Sequence, residues 1–213
     1  MEDVLSVYKR PYDSKNPVIA MDEVSKQLTK ETRYPLPAKS GEVAKYDTEY
    51  ERNGTANIFL MTEPLTGIVH TKVTERRTCT DWAHFIKNIV LMYPEAEIIT
   101  LILDNLNTHT GASLYKAFEP EVARMLLDKL DIHYTPKHGS WLNVAEIEIS
   151  HLSRQCLDRR IPNKSELNNE VQAWTRKRNS EQVCVDWQFT AENARIKLKN
   201  LYPIISTKSG QSL

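Results

Sequence analysis

The sequence contains little cysteine, and its three cysteines are far apart. Cys79, Cys156 and Cys184 are odd in number, and no two of them have the spacing of a zinc-binding pair or a redox motif. This scarcity excludes a framework of disulfides and argues against a zinc site. We therefore expect reduced thiols that fill space in the core of an intracellular protein.

The sequence also lacks a long apolar run. No stretch is long enough to span a bilayer, and no segment resembles a secretory leader. With 213 residues and 40% hydrophobic content, the chain is long enough to bury one good core. These features predict a soluble cytoplasmic protein with no membrane partner.

Net charge is formally zero, but the charges are unevenly distributed. Residues 151–213 hold 11 of the 28 basic and 6 of the 28 acidic residues, which leaves 17 basic and 22 acidic residues in 1–150. Basic clusters lie at residues 159–160, 176–178 and 195–199. One such cluster is typical of a solvated helix face. Together they predict only weak, salt-dependent contact with a phosphate backbone.

Hydrophobic patterns predict five strands, separated in the second half of the chain by helices. The predicted strands cover residues 18–22, 55–61, 67–73, 98–103 and 132–134. Predicted helices begin at Thr80 or Asp81, cover 120–129, and begin again at Ser140 and Ser165. The pair at residues 53–54, Asn-Gly, is a strong turn signal before the second strand.

This order of elements predicts the fold class. Three strands followed by alternating helices and strands indicate an α/β protein with a mixed five-stranded sheet flanked by helices. The order is that of the ribonuclease-H-like, retroviral-integrase-type fold, in which the first and fourth strands are neighbours at the sheet centre. A doubly wound Rossmann-type sheet is the alternative. It lacks support because no glycine-rich phosphate loop follows any predicted strand.

Three acidic residues stand out by their positions. Asp22 ends the apolar run of the first predicted strand, Asp104 ends that of the fourth, and Glu146 lies in the helix that follows Ser140. A carboxylate at the end of a buried strand is costly unless something compensates its charge. One such acid alone is explained as a strand cap or a solvated turn. Three in this order predict a cage of hard oxygen ligands for divalent cations, and hence phosphoryl transfer on nucleic acid.

Glu148 competes with Glu146 for the third position. Residues two apart on a helix point about 200° away from each other, so both cannot face the same site. The apolar stripe of this helix runs between the two glutamates and does not distinguish them. The residues themselves leave this choice open.

The most specific signals lie in residues 21–23 (MDE), 103–109 (LDNLNTH) and 136–146 (PKHGSWLNVAE). Together these segments resemble the bacterial insertion-sequence transposases of the Tc/mariner superfamily, whose catalytic core is an acidic-triad (DDE) endonuclease domain. The resemblance extends from about Pro11 to Tyr202 and includes residues 46–55 and 194–199. The 41 residues between Asp104 and Glu146 also fall in the range of such cores. By its place in the third segment, Glu146 and not Glu148 is the family's third acid.

The resemblance implies a metal-dependent enzyme that cleaves DNA phosphodiesters at transposon ends and joins the freed 3′-hydroxyl to target DNA. It implies that Asp22, Asp104 and Glu146 are the catalytic residues and hold two Mg²⁺ or Mn²⁺ ions. It also implies a homodimer as the active assembly, at the nucleoid of a bacterial cell. The polar stretch at residues 29–53 resembles the clamp loop with which such transposases hold a partner subunit.

Other residues of these segments have more than one interpretation. Asn105 and His109 either orient a ligand, a water or a phosphate, or they stabilise a turn and fill the core. His138 either contacts substrate or is simply exposed. Asn143, about one helical turn before the third acid, is expected to hold its carboxylate. Trp141 is expected in the core.

The expected organisation is an N-terminal arm at residues 1–17, a catalytic core at 18–202 with the loop insertion at 29–53, and a disordered tail at 203–213. The helix-turn-helix domains of the family are expected to be absent. End recognition would then come from a full-length transposase or a separate DNA-reading subunit. Two alternatives stay open: a ribonuclease-H-like nuclease that cuts RNA:DNA hybrids or junctions, and a catalytically idle truncated transposase that acts as a dimerisation or regulatory module.

Overall fold

A mixed five-stranded sheet forms the centre of the molecule. The computed structural model describes residues 1–33, 36–44, 47–137 and 139–202. The strands are β1 (Val18–Glu31), β2 (Tyr50–Glu63), β3 (Ile68–Thr74), β4 (Ile99–Leu103) and β5 (Leu130–Tyr134). Their order is β3-β2-β1-β4-β5. β2 is antiparallel to β1 and β3, and β4 is parallel to β1 and β5. Because β1 is central and β4 lies beside it, the predicted ribonuclease-H-like sheet is confirmed.

Helices cover both faces of this sheet. The helices are α1 (Glu2–Tyr8), α2 (Cys79–Met92), α3 (Gly111–Ala117), α4 (Pro120–Asp128), α5 (Ala145–Leu152), α6 (Lys164–Glu181) and α7 (Ala191–Lys197). A 3₁₀ turn at Ser140–Leu142 precedes α5, a π-helical turn at Ser153–Leu157 follows it, and a second 3₁₀ turn covers Lys199–Leu201. The hydrophobic pattern of the sequence predicted α2, α4, α5 and α6, but it did not predict α1, α3 or α7.

Strand alternation separates two hydrophobic layers. Val18 and Ala20 of β1 pack with α1, α5 and α6, whereas Ile19 and Met21 pack with α2, α3 and α4. β4 is buried at every position, as expected of a parallel strand that is covered on both faces. Since successive side chains point to opposite faces, residue 22 belongs to the α5 side and residue 23 to the α2 side.

The expectation of a loose N-terminal arm is wrong. Residues 2–8 form α1, and its Val4, Leu5 and Val7 side chains are fully buried in the α5 layer. Arg195 of α7 pairs with Glu2, with Nη2 and Oε2 2.5 Å apart. This helix was not predicted because it has only three buried apolar residues and is followed by a charged segment that contains proline.

The first two strands are much longer than predicted. β1 continues to Glu31 and β2 begins at Tyr50, so the segment between them is 32–49 and not 29–53. Gln27 pairs with Thr55 and Thr29 with Arg52, so two residues of β2 oppose one of β1. Residues 53–54 therefore form a β-bulge inside a strand and not a hairpin turn. Gly54 suits this position because its φ is +85°.

Several smaller expectations also differ from the structure. The N-cap of α2 is Thr78 and not Thr80 or Asp81 as predicted, because Thr78 and Asp81 form a capping box. Cys156 is buried as expected, but Cys79 is half-buried and Cys184 is exposed. His138 and the tail at 203–213 lie outside the described residues. None of the helices in the described part of the chain has the length and hydrophobicity that crossing a bilayer requires.

Candidate active site

Asp22 and Asp104 lie beside each other at one edge of the β1–β4 ladder. The parallel register pairs Ala20 with Ile102, and both acids come two residues later. β1 does not end at Asp22 as predicted but continues, paired with β2 alone. Asp22 therefore lies just beyond the residues at which β1 pairs with β4. The two strands thus bring Asp22 and Asp104 together as the sequence predicted.

Glu146 lies in the first turn of α5, on the same side of the sheet as Asp22. The buried Asn143 fixes this helix start, because its Nδ2 donates to the Met21 carbonyl at 2.9 Å. Its Oδ1 accepts from the Ala145 N–H at 3.2 Å. Asn143 therefore ties α5 to β1 next to Asp22. The expectation that it holds the Glu146 carboxylate is wrong.

The electrostatics of Asp22 indicate that the acids are close enough to interact. The pKa of Asp22 is raised from 3.8 to about 7, chiefly by burial and further by the negative charges of Asp104, Glu23 and Glu146. The Glu23 N–H, which donates to Asp22 Oδ1 at 2.8 Å, opposes this shift. A half-buried carboxyl group that faces other carboxylates is disfavoured as an anion unless a cation joins it.

Glu148 has a different role from Glu146. Its two carboxylate oxygens accept from Arg178 of α6, Oε2 from Nε at 2.8 Å and Oε1 from Nη2 at 2.7 Å. Glu148 is 2% exposed. This bidentate pair joins α5 to α6 within the core. By contrast, the Glu146 side chain makes no ion pair or hydrogen bond with the residues that the structure describes. The packing thus supports Glu146 as the acid that faces the site.

His109 connects Asp104 to a fourth acid that the sequence reasoning missed. Its Nδ1 donates to Asp104 Oδ1 at 2.6 Å. Its Nε2 lies 3.2 Å from Glu23 Oε2, at ion-pair distance but not aligned as a hydrogen bond. Burial lowers the pKa of His109, but the two carboxylates outweigh it and raise the pKa to about 9. The one sequence signal for Glu23 is its place directly after Asp22, on the opposite face of β1.

A groove of about 340 Å³ opens beside Asp104. It is lined by Asp104, Asn105, Leu106, Thr135, Pro136, Lys137 and Ser140. Asn105 and Lys137 are exposed in it, so an amide and a cation stand next to the second acid. Trp141 is 44% exposed and packs edge-on against Phe189, so its expected place in the core is wrong.

Half of the eight basic residues in the clusters of the last third form ion pairs within the protein. Four of their arginines form ion pairs: Arg159 with Glu170, Arg160 with Glu31, Arg178 with Glu148, and Arg195 with Glu2. These pairs reduce the positive charge that is free to meet a phosphate backbone. The weak, salt-dependent contact predicted from composition stays a prediction.

The acids converge without forming a closed cage. Within the described ranges, no three His, Cys, Asp or Glu side chains are grouped closely enough to hold one metal ion as they stand. One oxygen of Asp104 already accepts from His109. The donor set of Asp22, Asp104 and Glu146 is nevertheless made of hard oxygens, which suit Mg²⁺ and Mn²⁺.

The sheet order and the acidic edge define a ribonuclease-H-like domain. The family model described as "DDE superfamily endonuclease" matches residues 17–168. The chain belongs to this family, whose members generally use divalent metal ions. No curated protein matches the chain.

Two solved structures of Mos1 transposase have a similar fold. They are the Mos1 strand transfer complex, with a TM-score of 0.58, and the paired-end complex with the left transposon end, with a TM-score of 0.57. Both are 13% identical in sequence and cover 85% of this chain. The chain spans about half the length of these relatives, 53% and 55%. These two similarities show that the chain shares the fold of the matched part of Mos1 transposase.

Proposed function

We propose that this chain is the catalytic domain of a Tc/mariner-type transposase. It cleaves DNA phosphodiesters at transposon ends and joins the freed 3′-hydroxyl to target DNA. The observation that carries the proposal is the convergence of Asp22, Asp104 and Glu146 at one edge of the sheet, in a member of the DDE superfamily endonucleases. The two similar Mos1 structures, a strand transfer complex and a paired-end complex with a transposon end, support DNA as the partner.

In this proposal Asp22, Asp104 and Glu146 hold two Mg²⁺ or Mn²⁺ ions. The raised pKa of Asp22 supports the assignment, because the cause is burial among carboxylates that a cation would relieve. These three residues would hold the ions, which would supply positive charge for activation of the attacking oxygen and stabilisation of the leaving oxygen of the phosphodiester. Since the acids do not form a closed cage as they stand, we expect substrate phosphate oxygens to complete the coordination.

The protein's own groups place the substrate. Asp22 lies in a long strand and Asp104 directly follows the fully buried β4, so the backbone that carries each carboxylate is held in place. Glu146 lies on a helix that Asn143 ties to β1. In the groove beside Asp104, Lys137 supplies a positive charge for a DNA phosphate, and the Asn105 amide supplies a hydrogen-bond donor.

We also propose that residues 32–49 hold a second subunit in a homodimer. Leu36 is 61% and Val43 is 81% exposed, although both are apolar. Arg160 organises the base of this segment, since its Nη2 donates to the Asp47 carbonyl at 2.8 Å and its guanidinium lies 5.3 Å from the Tyr50 ring centre.

Titration calorimetry with Mn²⁺ tests the metal assignment directly. We expect saturable binding to the wild type and its loss in Asp104→Ala. Glu121→Gln removes one exposed acidic charge from α4, a helix that carries none of the three acids, and should bind like the wild type. Equal heats in the wild type and Asp104→Ala, measured with a short DNA duplex present, would overturn the assignment.

A further inference from the structure

His109 is buried between two carboxylates that lie on different elements. It is 1% exposed, and the Glu23 side chain that it meets is 3% exposed. Each ring nitrogen faces one acid, Nδ1 at 2.6 Å from Asp104 and Nε2 at 3.2 Å from Glu23. A histidine that only fills space does not need a carboxylate at both nitrogens. This arrangement therefore calls for a chemical explanation.

The ring and its backbone are both held in place. The ring stacks on the fully buried Trp82, with centroids 5.6 Å apart and planes 24° apart. Tyr134 Oη donates to the His109 carbonyl at 2.8 Å. Ser113 Oγ donates to the carbonyl of Thr108 at 2.7 Å. The segment that carries Asp104 is thus anchored from β5 and α3, and the imidazole has one orientation.

This fixed ring decides which oxygen of Asp104 is free. His109 Nδ1 donates to Asp104 Oδ1. The Asp104 carboxylate therefore cannot rotate about its terminal bond without losing a short, charge-assisted hydrogen bond. The second oxygen is left for a ligand outside the pair. Glu23 cannot join Asp22 and Glu146 as a ligand, because strand alternation puts it on the α2 side of β1, away from Glu146.

We propose that His109, with Glu23 behind it, is a positioning residue that orients Asp104 for divalent metal binding. The proposal rests on the proposed function. Groups that orient metal-binding carboxylates contribute about 10–100-fold to metal affinity. His109 would thus act through Asp104 and would not touch metal or substrate itself.

Two substitutions separate this role from a structural one. In His109→Asn the amide nitrogen occupies the place of Nδ1 and keeps the hydrogen bond to Asp104. In His109→Gln the amide reaches the place of Nε2 and keeps only the contact with Glu23. Both remove the ring that stacks on Trp82, so both should lose stability in urea unfolding by a similar amount. The contact with Asp104 is the difference between them.

The experiment is Mn²⁺ binding to the full chain, followed by electron paramagnetic resonance of free Mn²⁺, with a short DNA duplex present. We expect His109→Gln to weaken binding about 10–100-fold and His109→Asn to stay within about threefold of the wild type. Equal Mn²⁺ affinity in the wild type and His109→Gln would overturn the proposal. Equal losses in both variants, following their losses of stability, would also overturn it and leave a structural histidine.

The same titration separates this inference from the proposed function. Asp104→Ala provides the baseline without the second acid, and Glu121→Gln provides an unrelated loss of charge. If the wild type binds no more Mn²⁺ than Asp104→Ala, the metal assignment fails, and the role of His109 fails with it. If only the two His109 variants behave unexpectedly, the metal assignment stands.

Discussion

Asp22→Asn is expected to stabilise the metal-free protein. In the fold the pKa of this carboxyl group is about 7 and not 3.8, first because of burial and then because of the neighbouring carboxylates. A tenfold change in an acid dissociation constant corresponds to about 1.4 kcal/mol, so ionised Asp22 opposes folding by about 4 kcal/mol at pH 8. Asparagine keeps the shape and the oxygen that accepts from the Glu23 N–H, but it carries no charge.

The effect has a defined pH window. Because the folded pKa lies above the unfolded value, the protonated carboxyl group favours the folded state. The destabilisation therefore begins as pH rises above about 4 and reaches its full size above about 7. Between pH 5 and pH 8 the advantage of Asp22→Asn over the wild type should grow by about 2.5 kcal/mol.

Urea unfolding with EDTA at pH 5 and pH 8 measures this difference. Glu121→Gln, which removes an exposed charge, should change the free energy of unfolding by less than about 0.5 kcal/mol at both values. An Asp22→Asn variant that is no more stable than the wild type at pH 8 would refute the reasoning. So would a gain that is the same at both pH values, because it would not come from the carboxyl charge.

Three further outcomes follow from the packing around the site. Glu148→Gln leaves the half-buried Arg178 with Glu181, 3.5 Å away, as its remaining anionic partner and should destabilise the fold by at most about 3–5 kcal/mol in urea, while any folded fraction still binds Mn²⁺. Asn143→Ala removes two buried hydrogen bonds and should cost about 1–3 kcal/mol and also weaken Mn²⁺ binding, which Glu148→Gln should not do. Burial lowers the pKa of His133, but hydrogen bonds to Asp3 and Asp131 outweigh it and raise that pKa above 6.5. His133→Gln should therefore lower stability most at pH 6 and progressively less as pH rises, as thermal melts between pH 6 and 9 would record.

The sequence was sufficient for the sheet core because local patterns there agree with the fold. The apolar run of β4 and the order of strands and helices both predict the central β1–β4 pair. The long β1–β2 ribbon could not be predicted, since its outer half is polar and stabilised by contacts with distant residues. One example is the Thr29 N–H, which donates to the Ile161 carbonyl at 2.9 Å. The bulge at Gly54 likewise has the sequence of a turn.

For the site, the sequence placed acids but not their partners. Asp22 and Asp104 follow from strand order alone. The choice between Glu146 and Glu148 came from family resemblance, and its physical basis is Arg178, which lies 30 residues from Glu148. The link from Glu23 to His109 depends on how a strand and a distant loop pack together, and no local pattern records that contact.

Metal-dependent nicking of supercoiled plasmid DNA tests the central claim most directly. The wild type should nick DNA in Mg²⁺ or Mn²⁺ and not in EDTA. Asp22→Asn, Asp104→Asn and Glu146→Gln should each reduce nicking to the level without metal, whereas Glu121→Gln should nick like the wild type. If the wild type nicks DNA equally well in EDTA, or if any one of the three variants nicks at the wild-type rate, these acids are not the metal-dependent catalytic centre of a DNA endonuclease.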